Sequence, residues 1–122
     1  MKNLILASII LLGARAAALQ GRTTYAISRS AATVVTTVNA DAASEEALYN
    51  FLAEKIQAAG PQALFNNADV KVELVRATNH DLKIVSRYEI NPKLQDDSFT
   101  RNSILLEMAR VLRAGNERLA VL

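Results

Sequence analysis

The side chains able to do chemistry are few in this chain and lie far apart. His80 is the only histidine, so it alone could act as a general base near neutral pH without a strongly shifted pKa. It stands in the tetrapeptide Thr78-Asn79-His80-Asp81, whose residue types favour a tight turn. A base needs a fixed geometry and a turn tip supplies little, so His80 is read as a turn residue. Asp96 and Asp97 form an acidic pair. A hard-cation site needs several more oxygens and a glycine in its loop, so the pair is read as helix capping. Glu45 and Glu46 are read in the same way, as partners of a helix dipole. Gly13, Gly21, Gly60 and Gly115 are spaced too widely for a phosphate loop or a dinucleotide fingerprint. Cysteine is absent, which excludes disulfides, thiolate metal sites and thiol nucleophiles. There is no Gly-x-Ser-x-Gly, and the one histidine is read as a turn residue, so a hydrolytic triad is not expected. The expectation is therefore a protein that is not an enzyme, with no catalytic, cofactor-binding or metal-ligating residues and no cofactor.

The elements that would position any of these groups are clearer. Val70, Val72 and Leu74 alternate with Lys71 and Glu73 before the turn. Leu82, Ile84, Tyr88 and Ile90 alternate with Lys83, Arg87 and Glu89 after it. Period-two alternation on both sides of a turn predicts an antiparallel hairpin with one wet face. The charges on that face predict cross-strand ion pairs. Such a hairpin must lay its apolar face on other elements. Upstream, Thr23 to Arg29 and Thr33 to Val38 are rich in β-branched residues and predict strands. Ser30-Ala31-Ala32 is either a bulge or a corner between them.

Two amphipathic helices flank the hairpin. The first runs over 44–59, with Ser44 as N-cap, Leu48, Phe51, Leu52, Ile56 and Ala59 on its apolar stripe, and Gly60-Pro61 as its stop. Asn66 and Asn67 mark a turn before the hairpin. Asn91-Pro92 closes it. The second helix is expected over 98–114, with Leu105, Met108, Ala109 and Leu112 as its stripe, Arg110 and Arg113 at its C-terminal end and Gly115 just past it. Ala59-Gly60 and Ala114-Gly115 thus close two similar βα units. The apolar tail of residues 119–122 is expected to dock on the domain.

Residues 1–21 differ in kind. Lys2 precedes an apolar run from Leu4 to Leu12, followed by Gly13-Ala14-Arg15-Ala16-Ala17-Ala18. Basic tip, apolar core and small residues match a secretory signal. The run is short for a membrane span, which needs about 20 apolar residues. A retained anchor and a strand or helix of ordinary core are the other readings, and a mitochondrial presequence ranks below all three. The first 40 residues carry Lys2, Arg15, Arg22 and Arg29 and no acid. The part from Asp41 onward carries all twelve acids and has a net charge near −2, which disfavours nucleic acid.

The predicted fold class is α+β. An antiparallel sheet of three to four strands carries the two helices on one face, in a single domain over 22–122 that follows the apolar segment 1–21. The leading functional expectation is a non-catalytic structural or interaction protein, exported or membrane-anchored, acting as a subunit of a larger assembly. Its partners would be proteins, or further copies of itself, met through residues 3–19 and the C-terminal tail, with a membrane as a further partner. The alternative is a nucleic-acid-binding or coat-like self-assembling protein, which would need Arg22, Arg29, Lys71, Lys83 and Arg87 gathered on one sheet face.

Overall fold

β-branched residues build the first hairpin. In the computed structural model, which describes residues 22–60, 65–67, 69–93 and 97–121, Thr23–Ile27 forms β1 and Ala31–Val38 forms β2. The segment Ser30-Ala31-Ala32 belongs to a corner, not a bulge. The Ser28 N–H donates to the Ala31 carbonyl at 2.9 Å, and the Ser28 hydroxyl accepts from the Ala31 N–H at 3.1 Å. Helix α1 follows over Glu45–Ala59. Strands β3, Val70–Arg76, and β4, Leu82–Glu89, make the expected hairpin, and α2 runs over Ser98–Ala120. The apolar segment 3–19 and Asp96 lie outside the described residues. No helix among the described residues is long and apolar enough to cross a membrane.

The four strands form one antiparallel sheet in the order β1-β2-β4-β3. Both β2 and β3 are antiparallel to β4, so they run parallel to each other with β4 inserted between them. Helix α1 makes the crossover that joins them, which is why it must lie on a sheet face. Both helices lie on the same face. Val38, Leu82 and Ile84 meet Leu48 and Leu52 of α1 and Leu119 of α2 in one cluster. Ala32, Val34, Phe65 and Val70 meet Leu105, Ala109 and Leu112 of α2 in the other. Among the described residues the opposite sheet face carries no helix.

Two details of the helices differ from expectation. Gly115 does not end α2, which continues for another turn and more. Gly115 is buried under the Phe65 ring, and a Cβ there would stand 2.2 Å from a ring carbon. Glycine is therefore kept for close packing inside the helix, and burial of Leu119 and Ala120 (3 and 5 % exposed) offsets its poor helix propensity. Phe51, placed on the α1 stripe by spacing, is 41 % exposed, because only Leu48 and Leu52 of that helix reach full burial.

Candidate interaction surface

Among the described residues, strand β1 is an edge whose backbone is open. The Thr37 N–H donates to the Arg22 carbonyl, and the Ser28 N–H to the Ala31 carbonyl, each at 2.9 Å. Antiparallel bonding alternates residue by residue. Thr24 and Ala26 therefore bond to their register partners Val35 and Thr33. The N–H and C=O groups of Thr23, Tyr25 and Ile27 point away from β2. Among the described residues no strand pairs with them. The strand itself, Thr23-Thr24-Tyr25-Ala26-Ile27, carries no charge and no proline. Lys, Pro and bulges are the usual protections of an edge against pairing.

The other edge is protected. Strand β3 carries Lys71, Glu73 and Arg76. The Arg76 guanidinium reaches Glu45 at 3.2 Å and Glu46 at 2.6 Å in the first turn of α1, and lies 4.3 Å from the Tyr49 ring centroid. The hydrogen bond that Arg76 donates to the Glu46 carboxylate raises the Arg76 pKa above its ordinary value. His80 joins the same group. Its Nδ1 is 2.8 Å from Glu45 Oε1, and its φ of 73° sits in the left-handed region of the turn. The dipole partners Glu45 and Glu46 thus also tie α1 to the tip of the second hairpin.

Beside β1, the flank of α2 is apolar. Tyr25, Ile27, Ser28, Arg29, Asn102 and Leu106 line one shallow groove. Tyr25 is 58 % exposed, Leu106 54 % and Phe99 76 %. Phe99, Asn102 and Leu106 follow helical spacing, so they share one side of α2. An edge of free backbone groups and a patch of large apolar side chains therefore adjoin.

The helix-free face has a different character. Register places Thr37, Lys83 and Val75 in one row across it, Thr24, Val35, Val85 and Glu73 in the next, and Ala26, Thr33, Arg87 and Lys71 in a third. Arg22, bonded through its carbonyl to Thr37, extends the first row. The ion pairing expected across strands runs along β4 instead. Arg87 bonds Glu89 at 3.0 Å, two residues on, and Thr33 at 3.1 Å, because its direct neighbours across the sheet are Thr33 and Lys71. Arg29 does not join these cations. It sits in the corner, where its carbonyl accepts from Arg101 Nε at 3.1 Å.

Capping follows the expected residue types with shifted partners. Asp97 caps α2, accepting from the N–H groups of Phe99 and Thr100 at 3.3 and 3.1 Å. The Thr100 hydroxyl, then these amides, hold its carboxyl below the ordinary range. Ser44 is the N-cap of α1 by position, but its side chain makes no capping bond and instead meets Asp41. Arg110 and Arg113, expected at the end of α2, lie within it and pair with Glu107 and Glu117. The C-terminal carbonyls are served from outside the helix. Lys55 of α1 donates to Leu119 at 3.1 Å and Val121 at 2.9 Å, and burial pulls its pKa down.

Sequence reasoning missed the buried polar group at the centre. The Ser86 hydroxyl donates to Asn116 Oδ1, and Asn116 Nδ2 donates to the carbonyls of Val34 and Ile84 at 3.2 and 3.1 Å. Both side chains are fully buried. The signal was present. Ser86 interrupts the apolar face of β4, and Asn116 falls on the α2 stripe between Leu112 and Leu119. Among the described residues no group of three or more His, Asp and Glu side chains gathers as a metal site. Comparison of the chain with protein-family models, with characterised proteins and with solved structures finds no match.

Proposed function

We propose that this protein is a non-catalytic structural or interaction protein that serves as a subunit of a larger assembly, with residues 3–19 acting as its export signal or membrane anchor. The observation that carries this reading is the unprotected β1 edge adjoining the exposed Tyr25, Phe99 and Leu106. Large apolar side chains beside an open edge gain free energy when covered, and monomeric domains normally avoid that combination. The C-terminal tail contributes less surface than its composition suggests. Leu119 and Ala120 are buried in the domain, and Val121 is exposed.

The test is the size of the full-length protein at about 50 and about 500 mM salt, with its ultraviolet absorbance ratio followed throughout. An apolar interface holds or tightens as salt rises, because burial does not depend on released counterions. Leu106→Glu should shrink the assembly while leaving the melting temperature of the dilute monomer unchanged, since its side chain is already half in water in the single chain. A chain that stays monomeric alone and in extracts of its source would overturn the reading.

Nucleic-acid binding is the second reading, favoured by one observation. Arg22, Lys71, Lys83 and Arg87 share the helix-free face, with Lys71 and Arg87 directly opposite each other. Glu73 and Glu89 on the same face offset part of that charge. Co-purified nucleic acid that leaves on raising the salt, taking the large species with it, would promote this reading above the first.

A further inference from the structure

We infer that the partner at the β1 edge is a second copy of this chain, paired antiparallel through β1 about a two-fold axis at Tyr25. This rests on the assembly reading above and names its partner. The argument begins with the backbone. The groups free on this edge belong to Thr23, Tyr25 and Ile27, three residues spaced symmetrically about Tyr25. A two-fold axis at Tyr25 places Tyr25 against Tyr25, and Thr23 against Ile27 in both directions. Each of these three pairs then exchanges two hydrogen bonds, and every outward group of the strand is used. Sliding the register by one pair in either direction leaves one of the three residues without a partner inside the strand.

The side chains agree with that register. No charged residue lies within β1, so the pairing sets no like charges opposite each other. Arg22 falls opposite Ser28 of the second copy. A two-fold axis normal to the sheet keeps both helix layers on the same side. The two exposed Tyr25 rings then lie together, roofed by the two α2 flanks bearing Leu106 and Phe99. Tyr25, Leu106 and Phe99, left in water by one copy, then face their counterparts on the other. Counting the described strands, the product is a continuous eight-stranded sheet whose two ends are the protected β3 edges, so growth stops at two copies. At β3 the same pairing meets Lys71 and Glu73, and Arg76 held by α1.

Because the protein has no cysteine, one introduced thiol reports on one contact. In full-length Tyr25→Cys, mild oxidation should give a covalent dimer, since directly opposed residues bring their Cα atoms to about 5.5 Å, within disulfide reach. Thr23→Cys should not cross-link to itself, because the two copies of that residue stand about 13 Å apart in this register. Mixing Thr23→Cys with Ile27→Cys should give the mixed dimer. Tyr25→Lys should leave the melting temperature of the dilute monomer unchanged and raise the concentration needed for dimer at least tenfold. Equal cross-linking of Tyr25→Cys and Thr23→Cys overturns the register. A protein that still assembles without cross-linking at Tyr25→Cys overturns edge pairing while the assembly reading stands. So does a chain that is monomeric when pure yet joins a larger complex in its source. A chain monomeric in both settings overturns both.

Discussion

Asn116 holds helix to sheet at the point where a polar group is most expensive to misplace. Its amide spans β2 and β4 and satisfies Ser86 at the same time. Asn116→Ala removes these bonds and opens a cavity under α2, and should cost about 2–4 kcal/mol in urea unfolding. Ser86→Ala should cost less, about 1 kcal/mol, because the Asn116 amide keeps both carbonyls. In a double-mutant cycle the two should couple by about 0.5 kcal/mol or more, and additivity within error would mean that the hydroxyl and the amide act independently. Gly115→Ala sets two effects against each other. Helix propensity favours alanine by up to about 1 kcal/mol, but the Phe65 ring occupies the space of the new methyl. In a packed core the clash wins, and the variant should be less stable by about 1–3 kcal/mol. Neither residue was assigned its role from the sequence. A glycine beside a plausible helix end looks like a terminator, and placing the end there put Asn116 outside the helix.

Helix α2 is secured at both ends by groups of opposite charge. Asp97 caps its start, and Lys55 of α1 reaches its last carbonyls. Because hydrogen bonds hold the Asp97 pKa below its ordinary value of 3.8, its stabilising effect is complete above that value and is lost as pH falls through the lowered one. Asp97→Asn keeps a capping side chain but does not titrate. The wild type should therefore lose melting temperature more steeply than Asp97→Asn below about pH 4, and parallel curves would show that the cap is not linked to protonation. Lys55→Met retains the stem and removes the donor, so it should cost about 1 kcal/mol. The start of α2 was legible because a cap is a local pattern of types. Its end was not, since Lys55 lies 64 residues from the carbonyl it serves at Leu119.

At the scale of the whole molecule, the face assignment of the second hairpin is the strongest statement the sequence carried. Ile84 is fully buried on the helix side, and its neighbour Lys83 lies on the helix-free side. Ile84→Asp should unfold the domain, because an unpaired carboxylate would enter the core. Lys83→Asp should change stability by well under about 1 kcal/mol. Equal losses for the two in thermal melts would reverse the faces. Alternation made this readable, since a strand shows its two sides every second residue. The order β1-β2-β4-β3 left no such mark, because insertion of β4 between β2 and β3 is a choice among distant partners that no local spacing encodes.

The place of α2 in the chain bears on how the protein is made. Each half of the core takes its closing residues from this helix: Leu119 and Ala120 in one, Leu105, Ala109 and Leu112 in the other. While a ribosome has delivered only the residues before Ser98, all four strands exist but the larger part of their apolar side has no cover. The nascent chain in that interval is a sticky ribbon with an uncharged edge, and it would benefit from a chaperone until α2 emerges. A chain stopped ahead of Ser98 should therefore lack a cooperative melt and bind hydrophobic dyes. A sharp transition from that fragment would mean that the sheet and α1 can fold before translation finishes.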